Sequence, residues 1–380
     1  MRFLALTALL LHTAAAASAP PAEAPAVQAR AWAVFDYDSA QLLAGRNTRQ
    51  RLAPASVTKL MTAYVAFDAL KKNQIRLDGL ATVSKRAWRQ GYFTRESRMF
   101  LELGSQVAVS DLLRGLIIQS GNDASIALAE HIAGTEAAFV ERMNQTAKTL
   151  GMEDSHFTNP NGIHHPQLYT SARDLGRLTR ALIHDFPEHY ALFSETEFTY
   201  NKITQRNRNR LLARDPSVDG LKTGHHKQSG YCIVTSARRD GRRIISVVLG
   251  TRTPPQRLRA SAALLDYGFR FFETVQAAHA GQPLTQVRIW KGAQEELPLG
   301  VAQPLTVSLP RGTRKALSMR SQVELPILAP VRAGQPLGRL EVRLGDQLIR
   351  SEPLVALSAI AGGGLWRRWT DAFRLRWNLT

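Results

Sequence analysis

Three short polar motifs, each at the margin of a regular element, constrain this chain more than any other feature. Pro54-Ala55-Ser56-Val57-Thr58-Lys59 opens a run of helical periodicity over 56–71. Ser120-Gly121-Asn122 follows the apolar helical stretch Leu112–Ile118 and comes 64 residues after Ser56. Lys222-Thr223-Gly224 lies 102 residues after Ser120 and precedes a strand around Gly230–Ser236. Further strands are expected at 31–36 and 244–249, and further helices at 110–133, 136–149, 171–184 and 256–274. Strands at both ends with helices between them predict an α+β domain over 31–274.

After Gln276 the texture changes. Eight prolines punctuate 283–353, between short alternating runs such as Leu340-Glu341-Val342-Arg343-Leu344. That pattern predicts a small all-β domain over 276–355. The two ends differ again. Residues 1–19 read as a cleavable secretory signal: Arg2, a short apolar run and a small-residue Ala17-Ser18-Ala19 site. Over 357–380 a basic aromatic helix is expected. On a helical wheel Trp366, Trp369, Phe373 and Trp377 share one face, with Arg367 and Arg374 opposite. Arg376 falls at the edge of that face and Leu375 outside it. Such a helix either lies in an anionic membrane surface or docks on the protein's own core. The arginines beside the tryptophans favour the membrane. Gly362-Gly363-Gly364 before it suggests a flexible hinge.

Charge narrows the partners without naming one. Lys and Arg number 49 against 31 acids, a net charge of +18. A balance that basic attracts anionic membranes, nucleic acid or acidic polymers. The export signal and the lack of a nucleic-acid motif argue against nucleic acid. A single cysteine, Cys232, excludes an internal disulfide framework and any multi-cysteine metal site, and reads as a buried thiol.

Ser56 and Lys59, three apart, lie on one helical face about one turn from each other. A serine at a helix start sits near the positive end of the helix dipole. The lysine can serve as its base if burial or a second cation lowers its pKa. Alone, the pair reads as a capping serine followed by a surface lysine.

With the other two motifs in order behind it, the pair resembles the signature of serine penicillin-binding proteins and serine β-lactamases. The likeness extends over Pro54–Tyr64, Leu112–Ala124, Asn207-Arg208-Asn209, Val218–His225 and Tyr267–Thr274. Nearly the whole chain is similar to the D-alanyl-D-alanine carboxypeptidases, low-molecular-mass class C penicillin-binding proteins with a β-rich C-terminal domain and an amphipathic anchor. That resemblance implies a β-lactamase/transpeptidase-like fold, an antiparallel sheet with helices. It implies hydrolysis of the terminal D-alanine from peptidoglycan stem pentapeptides through a penicillin-sensitive acyl-enzyme, without metal or other cofactor, on the periplasmic side of the inner membrane. In that scheme Ser56 is the nucleophile and Lys59 its base, while Ser120 relays a proton to the leaving amine. Asn122 holds a substrate amide carbonyl, and Lys222 keeps Lys59 from holding its proton. Thr223 binds the substrate carboxylate, helped by Arg208 and Arg257. Gly224 lets the peptide approach the strand, and the backbone N–H groups of Ser56 and His225 form the oxyanion hole. His226 stands where the family usually has a small or acidic residue.

Other readings use the same residues. His164-His165 with His225-His226 suggests zinc, but no H-E-x-x-H motif or third ligand accompanies them. A serine β-lactamase needs a deacylation base, and Glu141 is placed in a helical run unsuited to the role. D,D-endopeptidase activity would use the same nucleophile. A non-catalytic binder of anionic wall polymer would account for the charge alone.

Overall fold

The computed structural model describes residues 23–92 and 96–377; the expected signal at 1–19 lies outside the described residues. The described chain divides into two units, 23–274 and 275–377.

In the first unit the elements are β1 (Ala31–Asp36), β2 (Leu42–Arg46), α1 (Lys59–Lys71), β3 (Leu80–Thr82), α2 (Lys85–Tyr92), β4 (Gln106–Ala108) and α3 (Val109–Arg114). They continue with α4 (Asn122–Ala133), α5 (Glu136–Thr149), α6 (Ala172–Asp185), α7 (Pro187–Tyr190), β5 (Glu197–Tyr200) and β6 (Ile203–Arg206). Last come β7 (Val218–His226), β8 (Gly230–Arg239), β9 (Arg242–Thr251) and α8 (Pro254–Phe271). The main sheet is antiparallel, in the order β2-β1-β9-β8-β7.

Its central strands are apolar on both faces because both faces are covered. Ala31, Ala33 and Phe35 of β1, with Ile245, Val247 and Leu249 of β9, join the core built with α1, α4 and α6. The alternate residues Trp32, Val34, Ile244 and Val248 join a second core with Leu258, Leu264 and Leu265 of α8. Period-two alternation therefore feeds two cores rather than one core and solvent. Helix starts are marked in the sequence: the side chains of Thr135, Ser171 and Thr253 accept hydrogen bonds from Ala138, Asp174 and Gln256 N–H and cap α5, α6 and α8.

Two expected helices differ from what is found. The run expected over 110–133 is broken: a π turn at Gly115–Gln119 ends at Ser120, which is left-handed at φ 62°, and α4 then starts afresh. The run expected over 256–274 stops at Phe271, because Phe272–Ala278 is a strand. Lys222-Thr223-Gly224, expected just ahead of a strand, lies inside one. β7 is an edge strand, and Lys222, Thr223 and Gly224 face Val234, Ile233 and Cys232 of β8.

The second unit is β-rich, with its own core that includes Ile289, Leu297, Leu299, Val342, Leu354 and Ile360. Its main sheet runs Leu317–Val323, Pro336–Leu344, Gln347–Ala356, Glu296–Gly300, Thr285–Trp290 and Ile327–Leu328 in spatial order. The last element among the described residues is α9 (Leu365–Arg376). This helix is inside out relative to an ordinary surface helix. The Asp371 carboxylate is buried and accepts from the Lys291 backbone N–H at 2.6 Å, and Arg367 pairs with Glu295 at 3.3 Å. Trp366, Trp369, Phe373 and Trp377 are 54–78% exposed. The glycines before it are not a free hinge. Gly362 bridges to Gly292, and Gly363 N–H donates to the Lys291 carbonyl, where a Cβ on Gly363 would sit 2.7 Å from the Gly292 carbonyl oxygen.

Candidate active site

The nucleophile candidate is built by a change of helix type. Ala55–Thr58 forms one 3-10 turn that runs directly into α1 at Lys59, so Ser56 lies a turn ahead of the lysine rather than on the α-helix itself. The turn starts from strain: Ala55 has φ 50°, a region where a side chain costs about 1 kcal/mol. Lys59 is 1% exposed, and its Nζ lies 3.2 Å from Ser56 Oγ, 2.6 Å from Asn122 Oδ1 and 2.5 Å from the Asn161 carbonyl. Burial brings its pKa down to about 7, against the opposing pull of Glu96 and Asp123. The surface-lysine reading of the motif is thus set aside by burial.

Two loops complete the lysine's surroundings. Asn159-Pro160-Asn161-Gly162 folds on its own side chains, with Gly162 N–H donating to Asn159 Oδ1 and Ile163 N–H to Asn161 Oδ1. Thr62 of α1 ties the Pro160 carbonyl at 2.6 Å. Gly162 packs so tightly that a Cβ there would lie 2.1 Å from the Ala55 carbonyl oxygen. The break between α3 and α4 supplies the second loop, which brings Ser120 and Asn122 to the cleft. Asn122 bridges: it accepts from Lys59 and donates from Nδ2 to Glu96 at 2.6 Å.

The third wall is β7. Lys222 is 2% exposed, and its Nζ has no hydrogen-bond partner among the described residues. Burial, and then repulsion from Lys59, Arg208 and Arg257, drives its pKa well below the usual lysine value. Gly224 passes against the nucleophile's backbone: a Cβ on it would meet the Pro54 carbonyl oxygen at 2.8 Å and the Ser56 and Val57 nitrogens at 3.0 Å. Arg208 is set by its neighbours. Asn207 Nδ2 donates to the Glu195 carbonyl and Asn209 Nδ2 to the Gly220 carbonyl, which fastens the Asn-Arg-Asn segment to β7. Arg257 at the start of α8 is 8% exposed, lies 5.8 Å from the Tyr231 ring centroid and donates to the Cys232 carbonyl. His225 stacks on that same Tyr231 ring at 3.8 Å.

Ser56, Ser120, Asn122, Arg208, Thr223, Gly224, His225 and Arg257 all line one cleft of about 830 Å³, with Lys59 and Lys222 beneath it. Glu96, Asn161 and Arg210 also border it and belong to none of the sequence motifs, and so does His164, of the pair that suggests zinc. His226 stands at the rim against His164, with ring centroids 5.4 Å apart. Its Nδ1 accepts from Ser229 N–H, which leaves the hydrogen on Nε2, and burial lowers its pKa to about 4, so the ring is neutral. Among the described residues no group of three or more His, Cys, Asp or Glu is disposed to hold a metal. Cys232 is buried and its thiol is pushed up to about 11, so it is not a nucleophile at neutral pH.

The profile described as D-alanyl-D-alanine carboxypeptidase matches residues 16–253, and that of the penicillin-binding protein 5 C-terminal domain matches 272–361. The chain is 43% identical to the D-alanyl-D-alanine carboxypeptidase DacC of Escherichia coli over 94% of its length and 90% of that protein's. Penicillin binding protein 5 from Haemophilus influenzae superposes with a TM-score of 0.86 at 38% identity, covering 89% of this chain and 99% of that one. A penicillin-binding protein from Listeria monocytogenes in its ampicillin-bound form superposes with a TM-score of 0.58 at 28% identity, covering 64% of this chain and 98% of that one.

Proposed function

The chain belongs to the D-alanyl-D-alanine carboxypeptidase family of penicillin-binding serine hydrolases, and from that premise we propose how its cleft works. Membership sets aside the non-catalytic wall binder. The observation that carries the mechanism is the buried amine of Lys59 beside the Ser56 hydroxyl. The peptide lies along the free edge of β7, as an added strand does, with Asn122 taking an amide carbonyl from the other side. Its terminal carboxylate meets Thr223, Arg208, Arg257 and Lys222. That carboxylate raises the proton affinity of Lys222. The ammonium so formed repels the proton on Lys59 and frees its amine to act as base.

Ser56 Oγ then attacks the carbonyl of the penultimate D-alanine while its proton passes to Lys59 Nζ. The oxyanion is held by the backbone N–H groups of Ser56 and His225. Collapse breaks the peptide bond, and Ser120 relays the proton from Lys59 to the departing D-alanine amine. Water then hydrolyses the ester. Incubation with a D-alanyl-D-alanine pentapeptide tests this: the wild-type protein should release D-alanine and Ser56→Ala should not. Release by the variant would remove Ser56 from its role.

Residues 1–19 are read here as an export signal, 31–274 as the peptidase domain, 276–355 as the β-rich domain and 357–380 as a peripheral anchor on the periplasmic side of the inner membrane. The outward aromatic face of α9 supports the anchor, since a helix docking on its own protein turns such a face inward. Among the described residues no helix is long and apolar enough to cross a membrane.

A further inference from the structure

The cleft is electrically lopsided. Arg208, Arg210 and Arg257 border it, and Glu96 is the only acid among the described residues that line it. Glu96 is exposed, yet the chain beside it is clamped. Asn122 N–H donates to the Ser97 carbonyl at 2.9 Å, and the Asp123 carboxylate accepts from Met99 and Leu101 N–H at 2.8 and 3.2 Å. The start of α4 thus fixes the segment that carries Glu96, and the Asn122 side chain holds one carboxylate oxygen at 2.6 Å.

The proposed mechanism, on which this inference rests, sends the substrate's terminal carboxylate toward Thr223 and the arginines. The acyl half must then leave Ser56 past Asn122, which takes the carbonyl of the residue preceding the two D-alanines. The side chain of that residue comes alongside Glu96. We propose that Glu96 forms an anionic subsite that selects a cationic side chain at that position. A stem peptide with a diamino acid at this position presents such a side chain. Its amine is a free ammonium until a cross-link turns it into a neutral amide. The subsite therefore favours uncross-linked stems over those whose amine is already acylated.

The test compares two peptides that end in Lys-D-Ala-D-Ala, both acetylated at the α-amine. One has a free lysine Nε and the other an acetylated Nε. An ion pair at an exposed site predicts a kcat/KM ratio of about two- to fivefold in favour of the free amine. The preference should sit in KM and shrink as salt rises. In Glu96→Gln the ratio should fall to about one, and Glu96→Asp should keep a preference. Equal turnover of both peptides by the wild-type protein overturns the subsite. So does a preference that persists in Glu96→Gln, or an equal gain on both peptides in that variant, which would mean that Glu96 merely blocks Asn122. No D-alanine release from either peptide by the wild type overturns the catalytic reading itself, and the subsite with it.

Discussion

Burial moves the Lys59 amine from a surface value of 10.5 to about 7, and most of the proposed chemistry depends on that shift. Only the neutral amine can take a proton, so the rate of acylation by a penicillin should rise tenfold per pH unit below about 7 and level off above it. A rate flat from pH 5 to 8 would contradict the role. Lys59→Arg keeps a cation but removes the proton acceptor, and should slow acylation by about 10²–10⁴-fold, measured with a fluorescent penicillin. The same shift affects stability. Between pH 7 and 10.5 the unfolded chain keeps a proton that the folded one has lost, so this group's contribution to stability rises with pH across that window. Without Lys222, no second ammonium would form on substrate binding. Lys222→Met should therefore weaken both carboxylate binding and the activation of Lys59, visible as a KM increase together with a kcat decrease.

Elements position these side chains through local exceptions to regular structure. Ser120 holds a left-handed backbone so that α3 can end and α4 begin at the cleft. Glycine adopts that backbone freely, so Ser120→Gly should raise the melting temperature by a few degrees while D-alanine release falls. A variant both less stable and fully active would contradict this account of the turn. Gly224 is needed for closeness rather than rotation. Gly224→Ala should push β7 off the 55–57 turn and lower acylation by more than tenfold, with little change in far-UV circular dichroism. The strand 31–36 and the helix 136–149 fall where periodicity places them, because apolar repeats report cores faithfully. Periodicity cannot register a single left-handed residue, so it runs 110–133 together. It also carries 256–271 on into 272–274, because the chain stays apolar as the helix gives way to a strand. β7 is hard to recognise as a strand: Val218 and Leu221 reach the cores, but the buried Lys222 and Thr223 belong to the cleft, so no apolar alternation marks it. The three motifs make Ser56, Lys59, Ser120, Asn122 and Lys222 legible. Asn161 acts through its backbone carbonyl, and Glu96 belongs to no pattern, so neither leaves a mark in the sequence.

Across the whole molecule, the charge of +18 separates into uses. In the proposed mechanism Lys59, Lys222, Arg208 and Arg257 gather around the carboxylate of the peptide, and Arg367, Arg368, Arg374 and Arg376 belong to α9. Ile360 and Gly362 are part of the second unit's packing, so an anchor deletion should begin at Leu365. That truncation should turn over soluble pentapeptide within about twofold of the full chain and no longer sediment with anionic vesicles. Sedimentation that survives the deletion would contradict the anchor. The central claim is that Ser56, activated by Lys59, is the acyl-accepting group, and intact-protein mass spectrometry after incubation with a penicillin tests it most directly. The account predicts one covalent adduct, mapped to the peptide that contains Ser56, and none in Ser56→Ala or, at neutral pH, in Lys59→Ala; an adduct that persists in Ser56→Ala, or none in the wild-type protein, would contradict it.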